Sequence, residues 1–295
     1  MLDKFVFNVY LPSTKEYTRV SELTNSEYIN ILKFNKNNDL KGMSDYMEWL
    51  IQSKMQTTVN LHRIDKFCIL LTLMMVNISP TVTLTGKCET TDQEYDIRVD
   101  IVDVLNTITN VDYIIPVIDS NDIKITTKYP TSIMCESPTI HHIIDTISIA
   151  GVTYQTESMT DDQFNQVIGA LPGRMFKSIV DTVRDMRDKH TDQVLLDVFS
   201  PYIDNPTHSK LTLDLLGNSL FEFICTLLGH DLNGFYELQF AMMNNYKFPP
   251  EYYMQITPTE VKTFYGYMRS DVEKKNKHIE NMKTSRKSPI DNITG

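Results

Sequence analysis

Glycine is scarce, and absent from the patterns that nucleotide chemistry needs. Ten glycines are scattered through 295 residues, and neither GxGxxG, GxxxxGK(S/T) nor GxSxG occurs. With so few places for backbone to cradle a phosphate, phosphoryl-transfer and dinucleotide enzymes are poor fits. Cysteine is sparse as well: Cys68, Cys88, Cys135 and Cys225 lie far apart without a CxxC pair, so neither a disulfide framework nor a zinc module is supported, and a reducing cytoplasm is the expected place of assembly. Positive charge is in deficit, 28 basic against 38 acidic residues for a net charge of -10, and that average field repels nucleic acid. A long uninterrupted apolar run is missing too. The most apolar stretch, Leu211 to Leu228, is broken by Asp214, Asn218 and Glu222, which fits a core helix and not a membrane span. The opening MLDKFVFNVYLPS has no long apolar region and meets Pro12 early, so it reads as a first strand and not as a targeting peptide.

Against these absences stands an ordinary globular composition, 41% apolar and 22% charged, long enough for two or three cores. The stretch from Thr81 to Lys128 organises the rest. Val82, Leu84, Ile97, Val99 and Ile101 alternate with Thr83, Thr85, Asp96, Arg98 and Asp100, the period of a strand with one face buried. The polar join Glu89 to Gln93 makes this a looped hairpin, and Ile123, Ile125 and Thr127 give a third strand of the same small sheet, ended by Pro130. The expected fold class is α+β: an N-terminal mixed region, a small antiparallel β-sheet in the middle and a helical C-terminal half. The expected parts are 1–80, a strand pair and helices; 81–138, the sheet; 139–285, helical; and 286–295, a flexible tail.

Local signals fill in this outline. Phe5, Phe7, Val9 and Leu11 alternate and the chain resumes at Tyr17 to Val20, a second hairpin. Thr24 with Glu27, Thr160 with Gln163, and Thr257 with Pro258 and Glu260 are helix-start signatures in which a side-chain oxygen and a residue three positions on cap each other's backbone. They predict helices over Glu27–Phe34, Asp161–Leu171 and from Pro258 to about Lys283. Ser44–Met55 and Arg63–Val76 carry helical apolar spacing, with Trp49, the lone tryptophan, expected as a core anchor. Asp103–Ile118 fits neither period. Ile140–Ile149 reads as a short helix ending at Gly151, and the chain from Thr160 onward as all-helical.

Three groups of residues could carry function. His141, His142 and Asp145 offer imidazoles and a carboxylate one turn apart, the basis of an alternative reading as a metal-dependent hydrolase; the spacing is not HExxH, neighbouring histidines on a helix point in different directions, and capping or core packing is the better reading. Cys88 and Cys135 flank the sheet outside any nucleophile motif, and buried inert thiols are the ordinary case. Lys274, Lys275, Lys277, Lys283, Arg286 and Lys287 make the last helix basic, but cations suit a helix C-terminus anyway and no aromatics interleave as a nucleic-acid or other contacting surface would need. The segment from Phe235 to Tyr253 is different. Phe235, Tyr236, Phe240, Met243, Tyr246, Phe248, Tyr252 and Tyr253 give it the aromatic and methionine content of an interface, and they are the candidate partner-binding residues; a plain core would have the same composition.

The succession FNVYLPSTKEYTRVSELT, RIDKFCILLTL, TVTLTGKCE with YDIRVDIVDVL, and DIKITTKYP, followed by SMTDDQFNQVIGALPGRMFKSIVDTV and LLGNSLFEFI, resembles the T4-type bacteriophage baseplate proteins of the tail hub assembly family. The resemblance covers roughly Phe5 to Leu228; the stretch from His230 onward departs from it. It implies a protein without catalysis or cofactor, a structural subunit or assembly factor of the baseplate hub of a contractile tail. It would be assembled in the host cytoplasm, located in the virion tail, and partnered by other baseplate and hub proteins, with no membrane role.

Overall fold

The computed structural model describes residues 5–56, 61–87, 94–120, 122–134, 140–199, 207–228 and 232–286. Strands β1 (Val6–Leu11) and β2 (Glu16–Ser21) form an antiparallel pair, with Val9, Leu11 and Val20 turned into the core. Helix α1 (Asn25–Lys36) starts as its sequence requires: Glu27 N donates to Thr24 Oγ1 and Thr24 N donates to Glu27 Oε2. After a turn at Asn38, held at φ 54, α2 (Leu40–Lys54) follows. Helix α3 (Arg63–Asn77) is buried almost all round, with Phe67, Ile69 and Leu71 fully enclosed. Each such side chain removed from water contributes about 1.5–3 kcal/mol before entropy is counted. This explains why a helix apolar on every side sits at the centre.

Strands β3 (Thr81–Lys87) and β4 (Glu94–Asp100) form the expected hairpin, in a register that sets Val82 opposite Val99. Its join, Glu89 to Gln93, lies outside the described residues, as do Cys88 and Cys135. The sheet itself is larger and differently composed than the sequence reading. Ile101 opens helix α4 (Ile101–Thr109), whose Asp100 cap accepts from Val102 N, so the strand alternation ends one residue earlier. The strand at Ile123 belongs to another sheet. Strands β5 (Val117–Ser120), β6 (Ile123–Thr127), β7 (Ile144–Ile149) and β8 (Val152–Gln155) run antiparallel in the order β5-β6-β7-β8. The predicted helix over Ile140–Ile149 is therefore corrected: only Ile140–Ile143 is helical (α5), and the isoleucines that follow lie in β7, whose register against β6 shifts at Thr126/Thr127. β-Branched residues fit a pleated face better than a helix, and here Ile144 and Ile147 pair inward. The β7–β8 connection is a two-residue turn, Ala150 at φ 50 and Gly151 at φ 83, the left-handed pair that tight hairpins need.

Helices α6 (Asp161–Gly169), with its Thr160–Gln163 capping box, and α7 (Gly173–Lys189) cover one face of the β5–β8 sheet. The chain then departs from the all-helical expectation. Strands β9 (Thr191–Phe199) and β10 (Thr207–Asp214) pair with each other, and β9 adds to β4, giving the order β10-β9-β4-β3. Leu211 and Leu213 thus lie in a strand, and helix α8 begins only at Ser219 and runs to Leu228. Helices α9 (Leu232–Tyr246), α10 (Pro250–Gln255) and α11 (Pro258–Arg286) complete the described chain. The result is an α+β protein with small antiparallel sheets and a mainly helical C-terminal half.

Packing runs across the expected boundaries at 80/81 and 138/139. One large core joins Val9, Met47, Phe67, Val99, Ile108, Leu213 and Ile224. A second lies between the β5–β8 sheet and α6–α7, around Ile125, Ile147, Phe164 and Ile179. A small cluster of Tyr129, Ile143, Met186 and Leu216 bridges them, touching Tyr113 from the first and Val183 from the second. The fourth, Met242, Tyr253, Ile256 and Val261, belongs to α9–α11.

Candidate functional site

The aromatic segment forms α9 and α10, and the chain fixes one side of it firmly. Asn25, fully buried, donates its side-chain amide to Tyr253 O at 2.8 Å and its backbone N–H to Ile256 O at 2.8 Å. Phe235 meets Tyr28 of α1 edge-on at 5.6 Å and Tyr253 at 5.9 Å. Thr259 Oγ1 donates to Val76 O of α3, and α11 starts from a capping box in which Thr257 N donates to Glu260 Oε2 at 2.8 Å. Between α9 and α10 the chain reverses through Lys247 at φ 57, and Phe248 N donates back to Met242 O. Phe248 then lies tilted against Tyr252 at 5.3 Å and meets Phe264 edge-on at 5.2 Å.

The eight candidate partner-binding residues therefore divide. Phe235, Phe248 and Tyr253 belong to the packed side, and burial pushes the Tyr253 phenol well above its ordinary range. Tyr236, Tyr246 and Tyr252 are more than a third exposed, Phe240 is 69% exposed, and Met243 is half-buried. Tyr236, Phe240 and Met243 stand at i, i+4 and i+7, one stripe of α9 turned away from buried Met242. A helix pinned on one side and apolar on another presents the anchors by which amphipathic helices enter a partner's groove.

The residues of the hydrolase alternative do not assemble into a metal centre. His141 has its Nδ1 2.8 Å from Asp161 Oδ1, its Nε2 2.9 Å from Thr156 O, and its ring stacked on Phe164 at 4.3 Å. Both nitrogens are turned onto oxygen atoms of the protein, which leaves neither of them facing an open position for a cation. Asp145 faces Lys128 at 3.9 Å, and His142 is exposed. Among the described residues no group of three or more His, Cys, Asp or Glu could hold a metal ion. The described cysteines, Cys68 and Cys225, are buried thiols pushed up in pKa, Cys225 to about 12, first by burial and then by nearby carboxylates. A thiol so shielded is a poor nucleophile.

On α11 the basic stretch is exposed. Lys275 pairs with Asp271 at 2.7 Å and Arg269 with Glu273 at 3.1 Å, both within the helix. Lys274 and Lys277 are exposed as well, while Lys287 lies outside the described residues. No described helix is long and apolar enough to cross a membrane.

Trp49 corrects the sequence reading in the opposite sense. It is 54% exposed and lies tilted against Tyr46 at 5.4 Å, which in turn meets Phe34 at 5.6 Å. The signal was available: the buried stripe of α2 runs Met43, Met47, Leu50, Ile51 and Lys54, and Trp49 falls between its turns.

Comparison with known families gives one result. The model of the family described as T4 bacteriophage base plate protein matches residues 3–193, and the chain belongs to that family. No curated protein and no solved structure matches it. The matched residues contain β1 to β8, α1 to α7 and the first three residues of β9; the rest of β9, β10 and α8 to α11, and with them the exposed aromatic stripe, lie beyond.

Proposed function

We propose that this baseplate-family protein is a non-enzymatic structural subunit or assembly factor of the hub of a contractile phage tail, working through protein–protein docking. The observation that carries the reading is the stripe of exposed Tyr236 and Phe240 with half-buried Met243 on α9, a helix held from behind where Phe235 packs on Tyr28 of α1 and on Tyr253. A rigid helix offering large apolar anchors loses little conformational freedom on binding, which is where docking surfaces gain affinity. Tyr246 and Tyr252 extend the same aromatic region. The partners expected are other baseplate and hub proteins, and the place of action the tail of the virion.

The test is compositional first and then mutational. Mass spectrometry of purified tails is expected to find the chain at a fixed ratio to other baseplate proteins; finding it only in assembly intermediates selects the assembly-factor form. Tyr236→Ala with Phe240→Ala is expected to lower incorporation at least tenfold while leaving the thermal midpoint unchanged, since truncated interface anchors cost about 2 kcal/mol or more each. Full incorporation of that double variant would remove α9 as the docking element. Absence of the chain from both tails and intermediates would overturn the hub reading.

A further inference from the structure

The two largest cores meet at a cluster of rings. His190, at the C-terminal end of α7 where β9 begins, is 2% exposed. Its ring lies 5.1 Å from Tyr129 and 5.2 Å from Tyr113, which are 5.4 Å from each other, and His62 stands edge-on to Tyr129 at 6.1 Å. His190 Nδ1 is 2.5 Å from Met186 O, and its Nε2 is 3.1 Å from the Tyr129 hydroxyl, which donates to Ile114 O at 2.8 Å. The backbone is engaged too, His190 O accepting from Leu215 N at 3.0 Å.

These contacts do not balance for a neutral ring. Met186 O is a carbonyl and can only accept, so the ring hydrogen sits on Nδ1 and Nε2 carries a lone pair. Tyr129 has one hydrogen and two acceptors, Nε2 and Ile114 O, and can serve only one at a time. An imidazolium would satisfy all three contacts, with Nε2 donating to Tyr129 and Tyr129 to Ile114, but it would place a charge inside an apolar cluster. The cluster is thus poised between a neutral form short of one hydrogen and a charged form short of solvent.

We propose that His190 is a proton-sensitive joint: protonation of its ring loosens the seam between the large core and the unit made of the β5–β8 sheet with α6 and α7. The surroundings give the sign. From its own helix Lys189 opposes the charged ring; from β10 Asp214 favours it, but Asp214 is itself paired with Arg187 at 3.0 Å. Arg63 of α3 donates to Leu216 O at the edge of the cluster, Tyr113 brings Cys68 and Asp65 behind it, and Asp112 lies beside Tyr129. The two phenols stay protonated, Tyr129 pushed up to about 12 by burial first, so near neutral pH they carry no charge beside the His190 imidazole. Burial comes first for His190 as well and lowers it below the ordinary 6.5. A group that takes its proton more readily when opened than when packed favours opening as pH falls below that ordinary value. The seam is closed at neutral pH and loosens in acid.

The experiment is amide hydrogen exchange on the full chain at pH 7.5 and 5.5, corrected for intrinsic rates. Segments 113–116, 127–130 and 186–191 are expected to exchange faster at the lower pH, by up to about tenfold per pH unit in the window between the opened and packed titrations. His190→Gln should remove the pH response, and Tyr129→Phe, which deprives the charged ring of its acceptor, should enlarge it. In the wild type, ring nitrogen shifts should report the Nδ1–H form at pH 7.5 and a midpoint below 6.5, a readout that survives even if a variant misfolds. Seam exchange independent of pH, an unchanged response in His190→Gln, or a ring that titrates above the ordinary value would each overturn the proposal.

Discussion

In α2 and α3 the large side chains Met47, Leu50, Phe67 and Leu71 are fully enclosed, whereas in α9 and α11 Phe240 and Tyr267 are each 69% exposed and Tyr265 is 50% exposed. Both regions are rich in aromatic and aliphatic residues, so composition does not separate them. What separates them is coverage. Helix α3 has β1, α2, α4 and the base of α11 around it. Among its described side chains helix α11 is packed near its start, at Val261 and, less completely, Phe264 and Met268; from Arg269 to Met282 every side chain is exposed except half-buried Asp271. A sequence records how much apolar surface each helix carries, but neighbours from distant parts of the chain decide how much of it is removed from water.

The sharpest way to test the difference is one ring against another. Phe67→Ala is expected to cost about 3–5 kcal/mol, because it leaves a cavity that the close-packed core cannot fill. Phe240→Ala, in the exposed stripe, should stay within about 0.5 kcal/mol. Urea unfolding with both midpoint and slope recorded is the check. A comparable loss at Phe240 would mean that α9 is core on both sides, and the docking reading would lose its main support.

Caps provide an intermediate test, and they also show how much could be read directly. Thr24 and Thr257 stand at the starts of α1 and α11 in the same reciprocal arrangement with Glu27 and Glu260. Thr24→Ala and Thr257→Ala should each cost about 1 kcal/mol if both helices are equally integral to folding. A thermal midpoint that falls for Thr24→Ala and not for Thr257→Ala would show that α11 melts separately. These caps, the Thr160–Gln163 box and the β1–β2 and β3–β4 hairpins were legible because each is decided within a few residues. The addition of β9 to β4 was not, since Ile97 and Val198 are brought together by folding and carry no local sign of each other. The Ile140–Ile149 segment was misread for a related reason. Its isoleucines suit a short helix or a strand equally in isolation, and only β6 beside them settles the matter. At the candidate site the composition of Phe235 to Tyr253 was visible, but the division between buried Tyr253 and exposed Phe240 depends on α1, which is more than 200 residues away in the chain.

The smallest expected effect lies where the two regions touch. Glu22, buried just before α1, has its carboxyl held above the ordinary 4.5, first by burial and then by the charge of Glu260 in the first turn of α11, against a lowering backbone hydrogen bond from Phe5. A carboxyl with a raised folded value adds stability below the unfolded value and loses it as pH rises through the folded one, so at neutral pH Glu22 works against the fold. Glu22→Gln is accordingly expected to raise stability at pH 7 and to lose that gain as pH falls below the ordinary 4.5. Glu260→Gln keeps an oxygen to accept from Thr257 N while removing the opposing charge, so it should give part of the same gain. If it gives none while Glu22→Gln gives the full amount, burial alone raises Glu22. The contact between the two regions would then rest on Asn25 with its bonds to Tyr253 and Ile256, on Tyr28 against Phe235 and on Thr259 with Val76 O, with no electrostatic strain across it.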